Sequence, residues 1–107
     1  MNIIEQKKVF IESLCQKHNV VSLDLVGSFA NGSYNDESDI DFLVRFGNVA
    51  IDNFANNYFD FVTSLEQLLS RKVDLISEKN VSNPYLLNSF NRNSIKIYER
   101  RNTRLAA

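Results

Sequence analysis

The sequence predicts an α/β (α+β) domain with a mixed β-sheet and helices packed mainly on one side. Two observations indicate this fold class. Short apolar segments rich in β-branched residues alternate along the chain with segments whose apolar residues recur every three or four positions. A chain of 107 residues is long enough to bury one continuous core but not two. We therefore expect a single domain over residues 1–107.

The first half of the chain shows the two periodicities most clearly. Apolar spacing of three and four residues indicates an amphipathic helix, and short β-branched segments that end at glycine indicate buried strands. The predicted elements are, in order, a helix over Ile3–His18, a strand over Val20–Val26, a short helix beginning at residues 29–31 and broken at Gly32, a polar loop over residues 33–38, and a strand over Ile40–Phe46.

The second half continues the alternation of helices and strands. A proline favours the first position of a helix, and alternation of polar with apolar residues indicates a strand with one face in water. The predicted elements are a helix between Asn53 and Leu69, a strand over Val73–Ile76, a short helix from Asn83 and Pro84 through Phe90, a strand over Ser94–Tyr98, and a basic tail over residues 99–107 that we expect to fray.

Composition excludes several classes of protein. Twelve basic against thirteen acidic residues give a net charge of -1, which argues against binding to nucleic-acid backbones. The sequence contains no apolar stretch of the length that a signal peptide or a membrane span requires. Cys15 is the single cysteine, so no internal disulfide can form, and a reducing compartment fits. We expect a cytoplasmic protein without a membrane partner.

The segment over residues 27–44 carries the most specific chemical signal. Asp39 and Asp41 are two residues apart at the start of a predicted strand, so both side chains project from the same face. Two carboxylates at that distance repel each other unless a cation lies between them. Mg²⁺ prefers oxygen ligands and completes its coordination with water and substrate phosphate oxygens. The pair therefore predicts a magnesium site that also binds a phosphate.

Gly27 and Ser28 are candidates for that phosphate site. A glycine after a strand lets the backbone approach a ligand closely, and the free amides at the start of the next helix can bind an anion together with the Ser28 hydroxyl. Ser28 could instead serve only as a helix cap.

Asp74 supplies a third carboxylate, because it is the only acidic residue in the apolar strand over Val73–Ile76. If this strand lies next to that of Asp39 and Asp41, the three aspartates could hold two metal ions, and Asp74 would be the general base.

These residues resemble the signature of a known superfamily. A glycine-serine pair, ten intervening residues and an Asp-x-Asp motif, here Gly27, Ser28, Asp39 and Asp41, resemble the polymerase β-like nucleotidyltransferases. Further features resemble the minimal nucleotidyltransferase (MNT) group, namely the small size, Ser38 before Asp39, the sequence Phe42-Leu43-Val44, and Arg71-Lys72-Val73-Asp74-Leu75 after a helix. The resemblance runs from about Val20 to Tyr98 and implies the polymerase β-like nucleotidyltransferase fold.

The resemblance also implies a reaction and a partner. Members of this group use Mg²⁺ to transfer a nucleoside monophosphate, usually AMP from ATP, to a hydroxyl group. Many resemble antitoxins that are paired with a helical toxin of the HEPN family, and the implied acceptor is then a tyrosine of that toxin. The resemblance carries metal binding and catalysis over to Asp39, Asp41 and Asp74, and nucleotide binding to Gly27 and Ser28.

One position departs from the family pattern. The family often has an arginine where this chain has Asn31, and no basic residue lies between Gly27 and Asp41 to neutralise a triphosphate. Arg45, Arg71 and Lys72 are the candidates to supply positive charge from neighbouring segments. The weaker phosphate site leaves two alternatives open: a binding module that neutralises its partner without catalysis, and a small-molecule nucleotidyltransferase. The nucleotide base and a homo-oligomeric state also stay open.

Overall fold

The computed structural model describes residues 3–49, 52–77, 83 and 93–100. Within these residues the helices are α1 (Ile3–Gln6), α2 (Lys8–Lys17), α3 (Ser28–Asn31) and α4 (Phe54–Leu69). The strands are β1 (Val20–Val26), β2 (Ile40–Phe46), β3 (Val73–Ser77) and β4 (Ile95–Glu99).

The four strands form one mixed sheet in the order β3-β2-β1-β4. Strand β1 is antiparallel to both β2 and β4, whereas β2 and β3 are parallel. A parallel pair needs a long crossover, which here contains α4. The mixed sheet with helices confirms the predicted fold class.

The core lies between the sheet and the helices α2 and α4. Helix α4 buries Phe61, Leu65 and Leu69, which are spaced four residues apart and therefore share one face. Alternate residues of the central strand β2, such as Phe42, point to the same core. Phe42 and Phe61 are fully buried, so truncating either to alanine should cost about 3–5 kcal/mol.

The first helix differs from its prediction, because it is interrupted at Lys7. Lys7 has φ -106° and ψ 11°, although its amide still donates to the carbonyl of Ile3 at 3.0 Å. Residues 5–8 are all polar, and neither proline nor glycine is among them, so the sequence does not indicate that the helix is interrupted there. The predicted bounds of β1 and β2 are confirmed. The helix predicted from Asn83 through Phe90 lies outside the described residues except for Asn83 itself, and so does the end of the basic tail.

None of the helices in the part of the chain that the structure describes is both long enough and apolar enough to cross a membrane.

Candidate active site

Strands β2 and β3 bring two aspartates side by side. Asp41 and Asp74 are directly paired in the parallel ladder, so their side chains lie on the same face of the sheet. The carboxyl group of Asp74 lies close enough to that of Asp41 to act on its pKa. Asp39 precedes β2 by one residue and lies close enough for its charge to act on Asp41. The condition that the sequence left open, adjacency of the two strands, is therefore met.

The charges at this site repel one another. The pKa of Asp41 is raised above its ordinary value, first by burial and then by the negative charges of Asp74 and Asp39. A bound cation would reverse this effect, because positive charge favours the ionised carboxylate. The electrostatics of the site thus fit a divalent metal ion.

The exposure of the three aspartates also fits an open metal site. Asp74 is exposed, and Asp39 and Asp41 are partly buried. Across residues 3–49, 52–77, 83 and 93–100, no three His, Cys, Asp or Glu side chains are arranged as a ready-made metal cage. Mg²⁺ does not require one, because it takes one or two carboxylates and completes its octahedron with water and substrate oxygens.

Gly27 lies against Asp41 at the end of β1. The preceding residue, Val26, is paired with Asp41 in the sheet. The Gly27 backbone has φ 71° and ψ -150°, a conformation that residues with a Cβ rarely adopt. A Cβ placed on Gly27 would overlap Asp41 Oδ2 and would lie 3.2 Å from Asp41 Cγ and 3.3 Å from Asp41 Cβ. The position requires glycine for its backbone conformation and for the space that Asp41 occupies.

Ser28 is the first residue of α3, and Gly27 holds the cap position. The Gly27 carbonyl accepts hydrogen bonds from the amides of Ala30 at 3.1 Å and Asn31 at 3.2 Å. Capping by the Ser28 side chain is therefore not what starts this helix. Ser28 is partly exposed, and its contact with a phosphate stays a prediction.

The loop that leads to Asp39 is held by Arg71. Its Nη1 atom donates to the backbone carbonyls of Asn35 at 3.0 Å, Asp36 at 3.1 Å and Ser38 at 2.8 Å. The guanidinium also lies over the ring of Phe29, 5.1 Å from its centroid. The Arg71 guanidinium thus brings a positive charge to the segment between Gly27 and Asp41, which contains no basic residue of its own.

Comparison with known proteins identifies the family. A family model described as "Nucleotidyltransferase domain" matches residues 7–102. This chain belongs to the nucleotidyltransferase domain family. It is 38% identical over 84 residues to "Putative protein adenylyltransferase MJ1379" of Methanocaldococcus jannaschii, covering 78% of this chain and 83% of that relative.

A solved structure confirms the resemblance to minimal nucleotidyltransferases that the sequence of this nucleotidyltransferase indicated. The structure described as "Structure of putative minimal nucleotidyltransferase" matches with a TM-score of 0.75 and 29% identity, covering 89% of this chain and 95% of the other. An MNT antitoxin in complex with a tri-AMPylated HEPN toxin of Shewanella oneidensis matches with a TM-score of 0.63 and 15% identity, covering 90% and 72%. At 15% identity, the match to the MNT antitoxin structure shows a shared fold only.

The structure of this nucleotidyltransferase also places the residues that the sequence left unassigned. Asn31 Oδ1 accepts a hydrogen bond from the Ser33 amide at 2.9 Å, where α3 ends. Arg45 and Lys72 are exposed, and Arg71 alone among the three basic candidates is seen bound to the loop. No local sequence signal marks this role of Arg71, because it depends on the pairing of β2 with β3.

Proposed function

We propose that this nucleotidyltransferase uses Mg²⁺ to transfer AMP from ATP to a hydroxyl group of a protein. The observation that carries the proposal is the pairing of Asp41 with Asp74 at the starts of two adjacent parallel strands, with Asp39 close enough for its charge to act on Asp41 and with Gly27 packed against Asp41. The protein adenylyltransferase named among the relatives supports AMP as the transferred group and a protein as the acceptor.

The three aspartates have distinct roles in this proposal. Asp39 and Asp41 hold the metal, which supplies positive charge to the triphosphate and to the departing pyrophosphate when it is bound. Asp74, the most exposed of the three, accepts the proton of the acceptor hydroxyl and also serves as a metal ligand. The hydroxyl oxygen forms a bond to the α-phosphorus, and the bond from that phosphorus to the β-phosphate oxygen breaks. Pyrophosphate leaves with the electron pair.

Gly27 and Ser28 bind the phosphates in this arrangement. The backbone conformation of Gly27 brings the chain close to the carboxylates without a side chain in between. The amide and hydroxyl of Ser28 at the start of α3 are then available to phosphate oxygens on the same side. ATP would therefore lie between the start of α3 and the aspartates.

The partner in this proposal is a helical toxin of the HEPN family, and the acceptor is one of its tyrosines. The shared fold with an MNT antitoxin whose HEPN partner is AMPylated supports this choice. The chain would then act as an antitoxin, since AMP on the toxin adds negative charge and bulk to its surface.

A transfer assay with labelled ATP tests the proposal. The purified protein is incubated with Mg²⁺ and ATP labelled at the α-phosphate, with and without the protein encoded beside it. Wild type should transfer label to the neighbouring protein, and the Asp39→Asn/Asp41→Asn variant should transfer none. The control is Asp52→Asn, which removes an exposed carboxylate just before α4 and should keep full activity. Label on a soluble compound instead would indicate a small-molecule acceptor.

One observation favours a second candidate, a module that neutralises its partner by binding alone. The Asn31 amide carries no charge and its oxygen already accepts a hydrogen bond from the Ser33 amide, while Arg71 Nη1 is already bonded to carbonyls of the loop. In that case the Asp39→Asn/Asp41→Asn variant would still neutralise the partner in cells and form a stable complex with it. An enzyme acting by AMP transfer would lose neutralisation in the same variant.

A further inference from the structure

The loop over residues 33–38 is folded around a single guanidinium group. Three of its backbone carbonyls, those of Asn35, Asp36 and Ser38, lie within 3.1 Å of one nitrogen atom of Arg71. Residues 33–37 are exposed, so packing in the core does not determine their conformation. The contacts with Arg71 are therefore one of the restraints that tie this loop to the rest of the fold.

Local hydrogen bonds make the loop a compact unit. The Asn35 amide donates to Ser38 Oγ at 2.9 Å, the Glu37 amide donates to Asn35 Oδ1 at 2.8 Å, and the Ser38 amide donates to the Asn35 carbonyl at 3.2 Å. These bonds fix the shape of the loop but do not attach it to β3. Arg71 provides that attachment, because it begins the segment that runs into β3.

The aromatic ring beneath the Arg71 guanidinium is packed in the core. Phe29, over which the guanidinium lies, is only 3% exposed and belongs to the core. Tyr34, from the loop itself, stacks on the same ring with centroids 4.1 Å apart and an interplanar angle of 9°. Phe29 thus connects the loop and Arg71 to the packed interior.

The charge of Arg71 is not cancelled by these contacts. Its hydrogen bonds go to neutral carbonyl groups, and neither of the ion pairs found within the described segments, His18 with Asp60 and Lys96 with Asp24, includes it. A guanidinium stays protonated in proteins, so the loop keeps a full positive charge beside the segment that leads to Asp39.

We propose that Arg71 is a positioning residue that sets where Asp39 lies relative to Asp41 and Asp74, by holding the carbonyl of Ser38. Asp39 follows Ser38 directly, and the next amide, that of Ile40, donates to the Lys72 carbonyl at 2.9 Å. Asp39 is thus fixed between two attachments to the chain just before β3. The consequence for catalysis rests on the transfer reaction of the proposed function, whereas the consequence for metal binding rests only on the metal site proposed at these aspartates.

Metal binding can be measured without any transfer reaction. Mn²⁺ affinity is determined by electron paramagnetic resonance in the absence of nucleotide, and hydrogen exchange is followed at the amides of Asn35, Glu37 and Ser38. Arg71→Ala should weaken Mn²⁺ binding about 10- to 100-fold, the usual cost of losing a group that orients metal ligands. The three amides should exchange faster.

Two further variants separate positioning from a general effect of charge or folding. Arg45→Ala removes the same charge from an exposed position near the other end of β2 and should leave Mn²⁺ affinity within about twofold of wild type. Arg71→Lys keeps the charge and three donors but loses the planar stack on Phe29, so it should recover part of the affinity. Thermal unfolding of each variant shows whether the fold is intact.

The outcomes distinguish this proposal from the proposed function. It is overturned if Arg71→Ala leaves Mn²⁺ affinity unchanged, or if Arg45→Ala weakens binding equally. If wild type transfers no label while Arg71→Ala still weakens Mn²⁺ binding, the positioning role holds and the proposed reaction fails. If transfer does occur, Arg71→Ala should need more Mg²⁺ and recover rate at high Mg²⁺, which a loss of folding would not produce.

Discussion

Substitution of Gly27 by alanine tests the close approach between the end of β1 and Asp41. Two glycines flank α3 with positive φ, Gly27 at 71° and Gly32 at 86°. Around Gly32 an added Cβ meets nothing within 4 Å, whereas at Gly27 it would overlap the Asp41 carboxylate. Gly32→Ala is therefore a control that strains the backbone without touching the site.

The expected magnitudes follow from this geometry. Alanine in a sparsely populated backbone region costs about 1–3 kcal/mol, and Gly32, in the left-handed helical region, should lie at the lower end. At Gly27 the Asp41 carboxylate must also move by on the order of 1 Å, a misplacement that can reduce activity about 100-fold. Gly32→Ala should keep activity within a few-fold.

Thermal unfolding and initial rates of AMP transfer are measured on both variants at a temperature where each remains folded. Mn²⁺ affinity provides a readout independent of the acceptor. Wild-type rate and metal affinity in folded Gly27→Ala, or an equal loss of activity in Gly32→Ala, would refute a role for the close approach of Gly27 to Asp41.

Three further predictions concern titratable groups. Because the pKa of Asp41 is raised, its ionised form destabilises the metal-free fold, so Asp41→Asn should raise the unfolding temperature at pH 7; the gain should vanish as the pH falls below the ordinary value of 3.8. The pKa of Asp60 is lowered by its hydrogen bond with His18, so Asp60→Asn should lower the unfolding temperature at pH 6, and the difference from wild type should close as the pH falls through 3.8 and below. A difference that persists at pH 2 would contradict this. Burial raises the pKa of the Cys15 thiol to about 12, so a thiol reagent at pH 7.5 should modify it only on unfolding. Rapid labelling of the native protein would count against the buried position.

The elements whose bounds the sequence predicted correctly are the two strands that are followed directly by a glycine. Strands β1 and β2 have their predicted bounds because glycines stop both apolar segments, Gly27 after the first and Gly47 after the second. The break of the first helix at Lys7 was not predictable, since both sides of the break keep the same helical periodicity. Local signals thus determined where β1 and β2 end, but not the last residue of β3, the bounds of β4 or the interruption within the first helix.

The candidate site residues could be named from the sequence, whereas their arrangement could be predicted only conditionally. The spacing of Asp39 and Asp41 indicated a shared face, but the pairing of Asp74 with Asp41 depends on the order of strands in the sheet. Contact of Gly27 with Asp41 and attachment of the loop to Arg71 likewise join segments that are distant along the chain. Such contacts follow from strand register, which composition and periodicity do not encode.

The most direct test of the account is to compare ATP labelled at the α-phosphate with ATP labelled at the γ-phosphate. Both are incubated with the protein, Mg²⁺ and the protein encoded beside it, under identical conditions. Transfer of AMP predicts that the α-label alone becomes protein-bound, that pyrophosphate is released in equal amount, and that Asp39→Asn/Asp41→Asn abolishes both. Label from the γ-phosphate on protein, or α-label transfer that survives the double substitution, would contradict nucleotidyl transfer at these aspartates.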